Sequence, residues 1–573
     1  VETVSLPFES VAAVIELRLA ADRTLSDVRN ITLRSTDGGM LAFETGSLNL
    51  RNGAVTPGEQ TAAEINYEIE GQATISRTPT SFFLAVNPVE AGKTLEVLVD
   101  YGEKHLSLGS VVVPESGIPG GKVTVFSLGY EFPQRIAEDL SANGTANTYL
   151  VTKPGTTYKF RAMVKGNGTP RTYSYSVNGR PVTKSYSEAD LAIKPAVAKL
   201  VWYNSPKTAD GWVRESPVII ESVEYDDWEG NVYFTTPAEF VPGNALIAVY
   251  DAGGEVLWSW NIWAVENYDC NAEARQVGRY MMMDRNLGAM AGREAMNSSD
   301  KRAAAWALGN YYQWGRKDPF SNATTVYGPE GNTLDMHSWP SCEGYTIDPV
   351  WNAQIGRKSG DYLYNGTVEF TLSHPATYIS YADEKDISNP NQTWLRSDVP
   401  GHRNDRLWGT YFEKEAVGAA TVLLSKSAFD PCPAGYRIPL IAPLKFTGND
   451  VESYTTEGVW LYIDSQRSVK AWYPYAGSRF SKMDASGKQI GILGYTEGAS
   501  GLYQFSYAAS IWSATLEFVQ EISVGTSCNS DDLTVTGYSS TGYRPEFVYE
   551  GPYARSFALA VRCVREDANG IVR

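Results

Sequence analysis

Trp394 stands between Asn391 and Asp398, with Asn389 and Asp383 a little upstream. An indole face stacks on the C–H face of a pyranose while amides and carboxylates take its hydroxyls, so this cluster carries the chemistry of a sugar-binding platform. The same ring in a core position would serve packing instead. Two stretches are rich in oxygen ligands: Asn529-Ser-Asp-Asp532, with Asn529, Asp531 and Asp532, and the run from Asp383 to Asp398. Calcium takes roughly six to eight oxygens from such loops. Both stretches read equally as solvated turns, and the Glu-Pro-Asn and Trp-Asn-Asp triplets of sugar-binding C-type lectins are absent. No cofactor is required by the sequence; calcium is the one ion it admits.

Nucleophilic and redox chemistry find less material. The five cysteines are Cys270, Cys342, Cys432, Cys528 and Cys563, and none forms a CxxC pair. Zinc ribbons and thioredoxin-type sites are therefore excluded. The four histidines, His105, His337, His374 and His402, lie more than a helical turn from any cysteine or from one another, and no HExxH occurs. A cysteine–histidine site could form only through the fold. Asp284-Arg285 reads as a catalytic carboxylate beside a guanidinium, or as a buried ion pair that fixes a loop. Asp226-Asp-Trp-Glu-Gly-Asn231 reads as a hairpin turn. The glycines between Gly117 and Gly121 lead into no Gly-Lys-Ser/Thr, so a phosphate loop is not supported.

Composition narrows the class. The chain has 573 residues, enough for three to five domains of about 100–200 residues. A 43% apolar content supports a normal core, and 12% aromatics, with 35 Tyr and 15 Trp, suit strands and gripping surfaces. Lys plus Arg is 49 and Asp plus Glu is 66, so the net charge is −17. That charge repels phosphate backbones and anionic lipid surfaces, and no nucleic-acid partner is expected. No run of about 18 apolar residues is present, so no membrane-spanning helix is expected. The opening Val1-Glu-Thr-Val-Ser5 is not a signal peptide; it fits a chain whose export signal has been removed, and equally a chain that never had one.

The elements that must position these residues are mostly strands. Val11–Ala20, Asn30–Ser35, Ala62–Glu70, Ser81–Val86, Thr94–Asp100 and Lys122–Phe126 are short, β-branched or aromatic, and bounded by turn residues. This spacing predicts a β-sandwich over 1–131. Thr148–Val151, Thr157–Val164, Ala198–Tyr203, Val218–Glu224 and Asn231–Phe234 predict a second, immunoglobulin-sized sandwich over 132–243, and the strand pattern runs on through Asn244–Val249 to about 265. The rest, 244–573, is expected to be mixed α+β, with a helix at Ser299–Trp314, a shorter one at Glu413–Leu423, and between them a long polar insertion at about 321–406. A loop of that length is functional or disordered, and its many aromatics argue against disorder.

Six phrases in this last region occur in a recognisable order: Trp258-Ser-Trp-Asn-Ile-Trp263, Asp284-Arg-Asn-Leu-Gly-Ala289, Tyr311-Tyr-Gln-Trp-Gly-Arg-Lys-Asp-Pro-Phe320, Asp430-Pro-Cys-Pro-Ala-Gly-Tyr-Arg-Ile-Pro439, Ile511-Trp-Ser-Ala-Thr515 and Val561-Arg-Cys-Val-Arg565. They resemble the Fibrobacter major-paralogue (FISUMP) domain, related to C-type-lectin-like folds, over about 245–568. The first two domains resemble the fimbrillin family of Bacteroidetes pili, through Ser10-Val-Ala-Ala-Val-Ile-Glu-Leu17 and Phe83-Leu-Ala-Val-Asn-Pro88. The expected fold is thus mainly β, two sandwiches followed by a C-type-lectin-like domain. Because Cys432 and Cys563 both lie inside the signature phrases, the resemblance pairs them in a disulfide, with two separate buried thiols as the alternative.

The fimbrillin resemblance implies a cell-surface, outer-membrane lipoprotein that assembles by donor-strand exchange with other fimbrial subunits. A chain whose last strand closes its own domain accepts a strand and donates none, which implies a pilus tip. The expectation is a non-catalytic tip adhesin that binds a surface glycan or protein through the 321–406 insertion. A glycan-capture surface lipoprotein is the second reading, and a glycan-acting hydrolase, which would need two facing carboxylates, the third.

Overall fold

Alternation decides the first unit. In β1 (Ala13–Ala21) Ala13, Ile15, Leu17, Leu19 and Ala21 are buried while the residues between them face outward, the two-residue period of a strand with one face on a core. The structure is a computed structural model. It describes residues 12–38, 41–43, 46–48, 55–58, 61–102, 104–177, 180–204, 218–278, 280–292, 306–321, 326–334, 367–376, 394, 407–409, 426–439, 448–454, 458–474, 476, 479–483, 489–493, 508–517, 529–536, 546–548 and 558–566. The chain divides into two compact units, 1–136 and 137–573. Its described part is mainly β and rich in sandwiches.

In the first unit β2 is Leu25–Ser35, followed by the short strands β3 (Ala42–Phe43), β4 (Gly46–Leu48), β5 (Val55–Pro57) and β6 (Thr61–Ala62). Then come β7 (Glu64–Ile75), β8 (Thr80–Val86), β9 (Thr94–Tyr101), β10 (Lys104–Val112) and β11 (Val123–Tyr130). One sheet is ordered β11-β1-β8 and the other β10-β9-β2-β7. The inward rows of both, among them Ile15, Leu17, Leu84 and Phe126 from one and Ile31, Leu33, Val97 and Val99 from the other, form a single core. β1 pairs antiparallel with β8 and parallel with β11. A parallel partner requires a long connection, which explains why a strand from the end of the unit lies beside its first.

In the second unit β12 (Glu138–Asp139), β14 (Thr157–Arg161), β19 (Asn231–Thr235) and β18 (Ser222–Asp226) make a four-stranded sheet. Opposite it, β13 (Thr148–Val151), β21 (Val256–Ala264), β20 (Gly243–Tyr250), β17 (Val197–Asn204), β25 (Val326–Tyr327) and β26 (Thr333–Leu334) make a six-stranded one. Phe160 packs on Trp260 between them, ring centroids 5.0 Å apart. The boundary expected between 243 and 244 falls at the start of β20, and the six-stranded sheet draws strands from both sides of it. The reason lies in β20 and β21, buried along almost their whole length. A strand buried on both faces needs cover on both. The 4-stranded sheet covers one face; on the other, Trp263 Nε1 donates to Ala289 O at 3.0 Å and Ser259 Oγ donates to Asp318 Oδ1 at 2.6 Å. Among the described residues of 137–573, Tyr149, Trp260, Leu287, Trp314 and Cys563 therefore lie in the same hydrophobic cluster, which crosses the expected boundary.

The helix expected over Ser299–Trp314 is corrected at its end. Tyr311–Gln313 (β24) is a strand, paired antiparallel with Ala558–Ala560. The local pattern favoured a helix, but a partner almost 250 residues away decided the conformation. The expected helix at Glu413–Leu423 lies outside the described residues. Within the 321–406 insertion the described parts include β25, β26, a short helix at Val368–Ser373 and Trp394. No described helix is long and apolar enough to cross a membrane.

Candidate functional site

Trp394 is corrected from platform to core. It is 1% exposed, its Nε1 donates to Trp314 O at 2.8 Å, and the Arg316 guanidinium lies 6.0 Å from its ring centre. Trp314 stacks obliquely on Trp408 at 5.3 Å, and Trp408 Nε1 donates to Arg316 O at 3.2 Å. A sugar needs an open aromatic face, and this one is spent on packing. Asp383, Asn389, Asn391 and Asp398 lie outside the described residues. Asn529, Asp531 and Asp532 fall at the start of a strand, Asn529–Thr536, paired with Ala508–Glu517 and Glu546–Val548 rather than in a loop. Among the described residues no three His, Cys, Asp or Glu side chains converge as a metal site would require.

Next to this hub Lys317 Nζ donates to Ser259 Oγ at 2.6 Å, to Ser259 O at 3.0 Å and to Asp318 Oδ1 at 2.5 Å. Its ammonium sits 4.5 Å from the centre of the Trp258 ring. Burial pulls the lysine down to about 8, against the pull of Asp318. A serine bonded to a lysine of lowered pKa is a nucleophile–base arrangement, and no sequence signal separated it from core packing. All three residues are buried, however, and Ser259 is only 1% exposed. The geometry ties the Trp314–Phe320 turn to β21.

Asp284 and Arg285 form the loop-fixing pair. Arg285 Nη2 and Asp284 Oδ2 are 2.9 Å apart, Tyr268 donates its hydroxyl to Asp284 at 2.7 Å, and the guanidinium lies 3.8 Å over the Tyr268 ring. Asp226 accepts from the amides of Trp228 and Glu229, which makes 226–231 a hairpin turn. Cys432 and Cys563 are joined in a disulfide. Around it, Lys426 Nζ donates to the carbonyls of Cys432, Pro433 and Tyr436, and Asp430 accepts from the amides of Cys432 and Ile438. Cys270 carries a free, partly buried thiol whose pKa burial pushes up, the opposite of an activated nucleophile. Cys342 and Cys528 lie outside the described residues.

The feature with the means to bind a partner lies in the first unit. Val14 N–H donates to Lys122 O, toward β11. Antiparallel residues opposite one another share the same orientation, so the backbone groups of Ala85, opposite Val14, point away from β1. Ser81, Phe83, Ala85 and Asn87 thus form the outer edge of β8. Asn87 N–H is taken by Leu41 O. Among the described residues β8 has no strand on that side. Facing it across the sandwich mouth is β7, whose Ile65, Tyr67 and Ile69 are half-buried, as is Phe82 of β8. On the sheet's outer face two rows run across the register, Val123–Val14–Ala85 and Val125–Glu16–Phe83. Phe83 is 65% exposed, Val123 55% and Val125 44%.

No family model matches the chain, and no curated protein matches it. Solved structures with some likeness include SporoSAG from Toxoplasma gondii, 10% identical over 46% of this chain and 96% of that one, TM-score 0.12. A leucine-rich repeat protein from Bacteroides thetaiotaomicron is 10% identical over 57% of this chain and 34% of its own, TM-score 0.12. The Bacteroides ovatus mixed-linkage glucan utilization locus protein SGBP-B, in complex with a mixed-linkage heptasaccharide, is 12% identical over 46% and 44%, TM-score 0.06. At these scores the likenesses bear on neither fold nor function. The class defined by the fold is a mainly β, sandwich-rich protein whose first unit has a sheet edge at β8 with no strand beside it among the described residues.

Proposed function

We propose that the chain is a non-catalytic adhesin of the fimbrial tip, at the cell surface. The first unit accepts a strand from a neighbouring fimbrial subunit, and the second binds a surface glycan or protein. The observation that carries the reading is the outer edge of β8. Its backbone groups face away from β1, beside a half-buried apolar row, which is the combination that β-augmentation uses. Exposed Phe83, Val123 and Val125 add apolar area next to that edge, and patches of this kind mark contact surfaces. Val564–Arg565 is paired with both Tyr280–Met282 and Tyr436–Arg437 inside its own unit, so that segment is not a donor strand.

Immunogold labelling of cells bearing the protein tests the assignment. Gold at filament ends is the expected result. Gold spread over the envelope away from filaments would replace it with the glycan-capture reading. A glycan array, run with and without a calcium chelator, then reports whether the partner is a sugar and whether calcium is needed.

A further inference from the structure

β7 and β8 follow one another in sequence, yet they close different sheets, and among the described residues no backbone ladder joins them. Two side-chain hydroxyls span the gap instead. Thr80 Oγ1 donates to Thr74 O at 2.8 Å close to the turn, and the Tyr67 hydroxyl donates to Ala85 O farther up. The first bond uses a carbonyl of β7. The second uses a carbonyl on the outer edge of β8, the edge on which a donated strand would pair. Tyr67 is half-buried in the apolar row with Ile65 and Ile69, so its ring is held in place while its hydroxyl reaches across. Burial pushes its pKa up to about 12, which keeps the hydroxyl a donor throughout the physiological range.

Building on the strand-acceptor reading above, we infer that the Tyr67–Ala85 hydrogen bond is a built-in latch. It occupies an edge carbonyl that an incoming strand must pair with, and so holds the β8 edge closed until a partner displaces it. An unguarded edge strand is an aggregation liability, and a hydroxyl is a suitable guard because a backbone N–H replaces it one for one. The exchange leaves the number of hydrogen bonds unchanged, so the latch slows or weakens non-specific pairing without forbidding the specific one. A single neutral hydrogen bond changes an equilibrium by roughly 2- to 12-fold, which is the effect expected.

The Tyr67→Phe variant isolates the hydroxyl, because the ring and its packing remain. Thr80→Val is the control, since it removes a bond across the same gap without freeing a β8 carbonyl. The probe is a fluorescein-labelled extended peptide, Lys-Thr-Val-Thr-Val-Thr-Val-Thr-Lys-amide, titrated into the full chain by anisotropy. Hydrogen–deuterium exchange of the 80–87 segment is followed in its absence. The latch predicts roughly 2- to 12-fold tighter peptide binding and faster 80–87 exchange in Tyr67→Phe, with Thr80→Val like wild type in binding. Equal binding by all three chains, with unchanged exchange in Tyr67→Phe, overturns the latch and leaves the acceptor reading standing. No binding by any of them, Tyr67→Phe included, overturns the acceptor reading and the latch with it.

Discussion

The indole N–H of Trp394 donates to the backbone carbonyl of Trp314 at 2.8 Å, joining a residue deep in the long insertion to the Trp314–Phe320 turn. The bond converts an aromatic that looked like a ligand platform into a clamp. Trp394→Ala should destabilise the second unit by about 3–5 kcal/mol, the usual cost of emptying a buried aromatic site. Trp394→Phe keeps most of the volume and orphans one carbonyl, at about 1–3 kcal/mol. Chemical denaturation measures both. Loss of ligand affinity in Trp394→Phe at unchanged stability would return the residue to the binding surface.

The disulfide gives a second test with an internal control. Cys432 and Cys563 are 131 residues apart in sequence, and closing a loop of that length constrains the unfolded chain by about 5 kcal/mol in the chain-entropy model. Reduction, or the double alanine variant, should shift the unfolding transition of the 137–573 unit strongly downward. The 1–136 unit contains no cysteine, so its transition should stay where it was. Tryptophan fluorescence separates the two, since the first 136 residues contain no Trp.

Gly166 tests whether the second unit is one cooperative body. Its backbone is left-handed, at φ +55°, and a Cβ there would stand 2.1 Å from the Ala428 carbonyl. Asn147 Nδ2 donates to that same carbonyl at 2.7 Å. Gly166→Ala should cost about 2–5 kcal/mol through backbone strain and overpacking. The loss should appear in a single transition that also reports on Trp314 and the disulfide. A separate, earlier transition confined to residues 137–243 would restore the independent second sandwich.

Stability of the second unit should rise with pH between about 8 and 9.5. Burial lowers the Lys317 pKa to about 8 from 10.5. Below that value both folded and unfolded chains carry the proton. Above it the folded lysine is neutral while the unfolded one is still charged, so the unfolded state binds more protons and ΔG of unfolding increases. Burial shifts Lys165 and Lys426 the same way. Cys270 opposes them, because its thiol is raised by burial, so the measurement belongs in a Cys270→Ser background. Lys317→Met should reduce the slope by up to about 1.4 kcal/mol per pH unit. An unchanged slope would mean that the lysine keeps its charge when buried.

How much of this was legible in the sequence depended on where each residue finds its partner. Six strands of the first unit, and Thr148–Val151 and Asn231–Phe234 in the second, could be read because β-branched or aromatic runs and flanking turn residues are local properties; Lys104–Val112, interrupted at Gly109, could not. The 226–231 hairpin turn could be read for the same reason. What the alternation does not carry is which strand pairs with which. β13 lies beside β21, more than a hundred residues on, and β24 became a strand because Ala558–Ala560 offered it an edge. The continuous burial of β20 and β21 required cover on both faces, and that requirement merged two expected domains into one. Trp394 followed the same logic: its type announced an aromatic contact, but only the arrival of Trp314 and Arg316 from distant sequence decided that the contact would be internal. At Tyr67 the sequence offered one more tyrosine in an alternating strand. Its hydroxyl acquires meaning only when two sheets stack and bring the edge of β8 within its reach.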